Sequence, residues 1–262
     1  MVTSTSFVAE TPASAPLTPK GPSPEPTVTA RDARALLDAT VADITAAFDG
    51  ELGVATMGER GPVTAGFADP TPAWSTMKVP IAVAATRTQP GLESDVRAAI
   101  TVSDNEAAGR LFDAVGPDAV DSVLSEAGVP AQVSMADLRP EFSTFGQTLL
   151  SAADEAVLAD SLPCADGSGP VLGYMGQVDA SQRYGLGAVG ALFKGGWGPD
   201  TAGNYHVRQL GLIPRGDGVW SPVALTAIPA DGTYETGQAM LTAAATRLAQ
   251  ASPALPAARC QP

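Results

Sequence analysis

The sequence predicts an α+β chain: one antiparallel sheet with covering helices, assembled from both ends of the chain, and a shortened helical block inserted between them. Three observations carry this. Residues 30–74 read as a helix followed by a hairpin. Residues 75–160 read as successive helices separated by Gly and Pro. Residues 188–228 read as three strands joined by Gly-rich turns, and a helix closes the pattern. The 262 residues suffice for one large domain or two small ones. The expected organisation is a disordered tail over 1–29, a sheet subdomain over 30–74 and 180–250, a helical subdomain over 75–179, and a C-terminal tail over 251–262.

Each element has its own signal. Leu37, Val41, Ile44 and Phe48 recur at helical spacing, and Gly50 is placed to end that helix. L-G-V-A-T-M and P-V-T-A-G-F-A read as two strands around a turn at Gly58-Glu59-Arg60-Gly61. Helices are expected over 75–88, 91–100, 105–115, 117–127 and 147–160. The strands are A-V-G-A-L-F-K, Y-H-V-R-Q-L-G-L-I and V-W-S-P-V-A-L-T-A-I. Met240, Ala244 and Leu248 mark one face of a last helix over 234–250.

Composition narrows the function. Hydrophobic residues make up 45% of the chain and no apolar run reaches bilayer-spanning length, which reads as a soluble globular protein. The formal net charge is -13, which argues against nucleic acid and anionic membrane partners. Cys164 and Cys260 form no C-x-x-C pair, and His206 has no metal-ligand partner at useful spacing, so no metal or cofactor is expected. The two cysteines are either free thiols or one disulfide, the latter in an oxidising compartment. Residues 1–29 lack a basic start and an apolar h-region, and six prolines lie between Pro12 and Pro26. That composition makes an extended spacer, of the kind that often follows a removed signal or membrane anchor.

The chain has twelve arginines and three lysines, and the lysines locate the chemistry. In W-S-T-M-K, a helix starting at Ser75 would put Ser75 and Lys78 on one face. A lysine held in a partly dry site near another cation loses its proton near neutral pH and can act as the base for a serine. On its own the motif reads sooner as a helix cap followed by a solvated lysine. In S-D-N, Ser103 or Asp104 can cap the helix that follows. Its functional reading has Ser103 passing a proton to a leaving nitrogen, and Asn105 orienting Lys78 and a substrate amide. In K-G-G-W-G, the ordinary reading is a strand ending in a glycine turn. Functionally, Lys194 is the cation for a substrate carboxylate, and Gly195 and Gly196 let a substrate backbone lie along the strand edge. The N–H groups of Trp197 and Ser75 would form an oxyanion hole.

S-T-M-K, S-D-N and K-G-G, in that order, resemble the three-motif signature of serine β-lactamases and penicillin-binding DD-peptidases. Among these the chain looks most like class A β-lactamase-like serine hydrolases of actinobacteria, which are exported. The resemblance spans residues 31–250. It implies a β-lactamase/transpeptidase-like fold, no cofactor, and acylation of Ser75 by a β-lactam or a D-alanyl-D-alanine peptide. The partner is then a small molecule or a peptidoglycan peptide. It also implies Lys78 as general base, Ser103 as proton relay, Asn105 as positioner and Lys194 as the electrostatic anchor.

Three departures stand out. Gly195 replaces the hydroxyl residue that usually follows the third-motif lysine, removing a hydrogen bond to a substrate carboxylate. Only 28 residues separate Ser75 from Ser103, so part of the usual helical subdomain is missing. The E-x-x-N neighbourhood of the deacylating glutamate is absent, and Glu141 in L-R-P-E-F is the nearest candidate, with Asp137 behind it. These departures motivate the alternative of a non-catalytic binding module of the cell envelope. Two other patterns carry little. G-L-G-A-V-G at 185–190 follows D-A-S-Q-R-Y rather than an apolar strand, which argues against a dinucleotide site. His206 alternates within a strand and has no G-x-S-x-G serine to serve.

Overall fold

The computed structural model describes residues 1–3, 29–216 and 218–262. Residues 4–28 of the expected tail therefore lie outside the described residues. Helix α1 (Ala30–Ala47) is followed by the hairpin β1 (Gly50–Gly58) and β2 (Gly61–Gly66). A two-residue strand β3 (Thr71–Pro72) leads into a 3-10 turn over Trp74–Met77. The helical block holds α2 (Lys78–Thr88), α3 (Glu93–Thr101), α4 (Asn105–Val115) and α5 (Pro117–Ala127). After a long loop come β4 (Leu149–Leu150), α6 (Ala152–Ser161) and α7 (Ser168–Met175). Strands β5 (Leu192–Pro199), β6 (Tyr205–Pro214) and β7 (Trp220–Pro229) precede α8 (Tyr234–Gln250).

The main sheet has the order β2-β1-β7-β6-β5, with antiparallel pairing throughout. The two chain segments meet at β1 and β7, and β5 is an edge strand. Side chains alternate between two cores, as the period of a strand demands. Leu52, Val54, Phe193, Val207, Val223 and Leu225 face the core shared with α1 and α8. Ala55, Leu210, Leu212 and Ala224 face the core of the helical block. Helix α2 runs through that block with Lys78 to Ala85 all buried, so it has no solvated stripe.

Several boundaries differ from expectation for local reasons. Helix α1 ends before Phe48, which is extended. Gly50 instead opens β1 at φ 138°, where a Cβ would stand 2.4 Å from the Ile228 carbonyl oxygen. The helix expected from Ser75 begins in α geometry only at Lys78, which places Pro80 in its first turn. The helix expected from 147 starts at Ala152, behind a capping box formed by Ser151 and Asp154. Helix α7 has no counterpart among the expected helices; its buried Ser168 hydroxyl donates to the Leu162 and Ala165 carbonyls. The glycines of K-G-G-W-G do not end a strand but lie inside β5, while residues 185–189 form a 3-10 turn.

Residues 251–262, expected as a tail, are pinned to the body. Leu255 and Ala258 are buried, Arg259 pairs with Asp160 at 3.1 Å, and Cys260 is disulfide-bonded to Cys164 across 96 residues. Closing a loop of that size removes denatured-state entropy. The double variant Cys164→Ala/Cys260→Ala should unfold with about 4 to 5 kcal/mol less free energy, measured by urea titration.

Candidate active site

Ser75 sits in the 3-10 turn, directly after Trp74, whose φ is 52°. A left-handed conformation at a bulky residue costs about 1–3 kcal/mol and persists only when the surroundings enforce it. Here β5 enforces it. A Cβ at Gly196 would stand 3.0 Å from the Ser75 nitrogen and 2.6 Å from the Ala73 carbonyl oxygen. A Cβ at Gly198 would stand 2.6 Å from the Trp74 ring. The glycines at 196 and 198 thus let the edge strand lie against the serine turn. Gly195 points to the other face, where its nearest neighbour is the Tyr184 hydroxyl at 3.5 Å from the Cβ position.

The first and second motifs meet through Lys78. Its Nζ donates to the Ser103 carbonyl at 2.5 Å, to Asn105 Oδ1 at 2.7 Å and to Ser103 Oγ at 3.1 Å. Asp104, not Ser103, caps α4 by accepting from the Ala107 N–H. That frees the Ser103 side chain, and its φ of 58° turns it into the site. Lys194 comes from β5 and donates to the same Ser103 Oγ at 2.9 Å and to the Gly195 carbonyl at 2.8 Å. Two fully buried lysines therefore converge on one hydroxyl.

Their charges are in conflict. Burial lowers the Lys78 pKa from 10.5 to about 8, with Asp104 pulling it back up. Burial, and then the Lys78 charge, push Lys194 well below the ordinary lysine value. Dry surroundings disfavour each ammonium, and two ammoniums a few ångströms apart disfavour each other. The pair therefore gives up a proton far more readily than free lysines do.

Behind the serine turn lies a second buried charge pair absent from the sequence reading. Thr76 Oγ1 donates to Glu155 Oε1 at 2.6 Å, and Arg208 Nε donates to the same oxygen at 2.9 Å. Arg208, opposite Gly196 in the β5–β6 register, also donates to Thr71, Pro72 and Leu150 carbonyls. It thereby joins β3, β4, α6 and the turn that carries Ser75. Burial raises the Glu155 pKa, opposed chiefly by the Arg208 charge. The available signal was an arginine inside a strand and a glutamate inside a helix, neither of which names its partner.

The remaining expected residues divide. The Trp197 ring packs on Tyr234 at 5.2 Å between centroids. Its backbone lies in the edge strand β5, opposite Val207 of β6. Glu141 does not join the cluster: it is exposed and paired with Arg139 at 3.0 Å. Its own backbone N–H and Arg139 hold its carboxyl below the usual range. Asp137 and His206 line a cavity of about 470 Å³ with Trp74, Leu138 and Pro199, separate from the lysine pair. No group of His, Cys, Asp and Glu able to hold a metal occurs among the described residues.

No family model matches the sequence, and no curated protein does. Solved structures do. A β-lactamase from Sphaerobacter thermophilus DSM 20745 superposes with a TM-score of 0.65 at 20% identity, covering 85% of this chain and 98% of that one. A class A β-lactamase from Mycobacterium abscessus gives 0.66 at 16%, covering 83% and 99%. A β-lactamase from Streptosporangium roseum gives 0.66 at 15%, covering 84% and 100%. The chain has the serine β-lactamase-like fold over nearly the full length of these structures.

Removing one partner of the buried pair should be far worse than removing both. Arg208→Met strands the Glu155 carboxylate and should cost about 3–5 kcal/mol in urea unfolding. Adding Glu155→Met should recover much of that loss. Equal destabilisation by the single and double variants would contradict this.

Proposed function

We propose that this chain is a serine hydrolase or acyltransferase that forms an acyl-enzyme on Ser75 with a β-lactam or a D-alanyl peptide amide. The observation that carries the reading is the shared hydrogen bonding of Lys78 and Lys194 to Ser103 Oγ, beside a serine held against an edge strand. Neutral Lys78 takes the Ser75 hydroxyl proton as Oγ attacks the carbonyl carbon. The N–H groups of Ser75 and Trp197 stabilise the oxyanion. As the C–N bond breaks, the proton passes from Lys78 through Ser103 Oγ to the leaving nitrogen. Asn105 holds Lys78 in line, and Lys194 supplies the field for a substrate carboxylate.

The substrate class is a small β-lactam or a peptidoglycan peptide, bound without cofactor or metal. The Cys164–Cys260 bond supports an exported protein of the cell envelope or exterior. With Glu141 exposed and tied to Arg139, the expected deacylation base stands away from the lysine cluster, and the acyl-enzyme should be long-lived. The same observation favours a second reading, a non-catalytic module that binds a cell-wall partner through this cleft.

Incubation with a labelled penicillin or a fluorophosphonate, read by intact mass, separates the two. A stable adduct on the wild type and none on Ser75→Ala supports the enzyme; no adduct with any acylating probe supports the binding module. The acylation rate should rise with pH through about 8, because the Lys78 pKa is lowered to about that value and only the neutral amine is a base. Stopped-flow rates flat between pH 6 and 9 would contradict Lys78 as base.

A further inference from the structure

Gly195 has no side chain to offer a substrate, yet a hydroxyl stands over it. Tyr184 Oη lies 3.5 Å from the position a Cβ at residue 195 would take. The Tyr234 hydroxyl lies 3.4 Å from Tyr184 Oη, longer than an ordinary O–H···O hydrogen bond. Burial holds the Tyr184 pKa well above the ordinary phenol value, with Tyr234 adding to it, so the group is a donor at neutral pH. Its position is fixed. The Tyr184 carbonyl accepts from Gln209 Nε2 at 3.0 Å, and Gln209 is the register partner of Gly195 across β5–β6. The Tyr184 and Tyr234 rings meet edge to face at 6.0 Å.

The geometry bears on where an anion would lie. Lys194 reaches from β5 to Ser103 on one face of the edge strand, while Gly195 turns to the opposite face. A carboxylate resting on the edge at 194–195 has the lysine on one side and the phenol on the other. A Cβ at 195 would meet Tyr184 Oη at ordinary van der Waals distance. The tyrosine hydroxyl therefore stands next to the point from which a side chain at 195 would start.

We propose that Tyr184 is a substrate-binding residue whose hydroxyl donates to the carboxylate of an anionic amide substrate lying along β5. This rests on the reading above that substrate lies on that edge. The phenol takes the place of the hydroxyl missing at 195.

Two measurements test it. A hydrogen bond from a neutral donor to a charged acceptor corresponds to about a 10- to 100-fold rate effect. Tyr184→Phe should slow acylation by a penicillin, which carries a carboxylate, by that factor. It should slow a fluorophosphonate, which carries none, far less. Adding Gly195→Ser to Tyr184→Phe should restore most of the penicillin rate. Unchanged penicillin acylation, equal slowing of both probes, or no rescue would overturn the assignment.

The second measurement needs no reaction at Ser75. Four tyrosines give four ring Cζ signals in a 13C-tyrosine spectrum, and Tyr184→Phe identifies one. That signal should move with N-acetyl-D-alanine and not with its amide. Movement with both or with neither would overturn the assignment. If neither probe labels the wild type but Tyr184 responds to the acid alone, the acyl-enzyme reading fails and the binding role of Tyr184 stands.

Discussion

Two lysines buried around one serine hydroxyl are the constraint on which this molecule turns. Lys78 belongs to the helical block, Lys194 to the sheet and Ser103 to the turn before α4, so their hydrogen bonds join the two halves of the fold. Burying a cation is costly unless its donors are satisfied, and burying two like charges together is worse. The fold tolerates it by surrounding Lys78 with three acceptors and Lys194 with two. The residual cost appears as a lowered proton affinity, which is what a base working near neutral pH requires.

That arrangement demands a rigid frame. Trp74 and Ser103 are both held at positive φ, and both flank the site. The edge strand presses on the first through Gly196 and Gly198. From behind, the Glu155–Arg208 pair grips Thr76 and the backbone of β3 and β4. A buried ion pair adds little net stability over apolar packing, but it fixes which groups meet. Here it fixes the turn that carries Ser75.

Much of this was legible in the sequence because the residues of the lysine cluster lie in short motifs. Ser75, Lys78, Ser103, Asn105 and Lys194 could each be singled out by spacing and by the scarcity of lysine; the structure joins Lys78, Ser103, Asn105 and Lys194 by hydrogen bonds and sets the backbone of Ser75 against β5. Helices α4 and α5 ended where their Gly and Pro punctuation placed the ends. The failures have a common physical cause. Gly195 to Gly198 read as a turn because glycine weakens strands in isolation, whereas two of those glycines are required by the approach of another element. Helix α7 was hidden by its glycines for the same reason. Glu155 and Arg208 act through partners more than fifty residues away, and no local pattern names such a partner. Glu141 was proposed from its neighbourhood in the chain, and its pairing with Arg139 leaves it on the surface.

The titration of the lysine side chains by 15N NMR tests the central claim most directly. Three lysines give three signals, and single substitutions assign them. The account predicts that Lys78 titrates near 8 and that Lys194 also lies well below the ordinary lysine value. Both lysines titrating near 10.5, the value of a free side chain, would mean that the site is wet and the amines do not share a proton, and the proposed base would be lost.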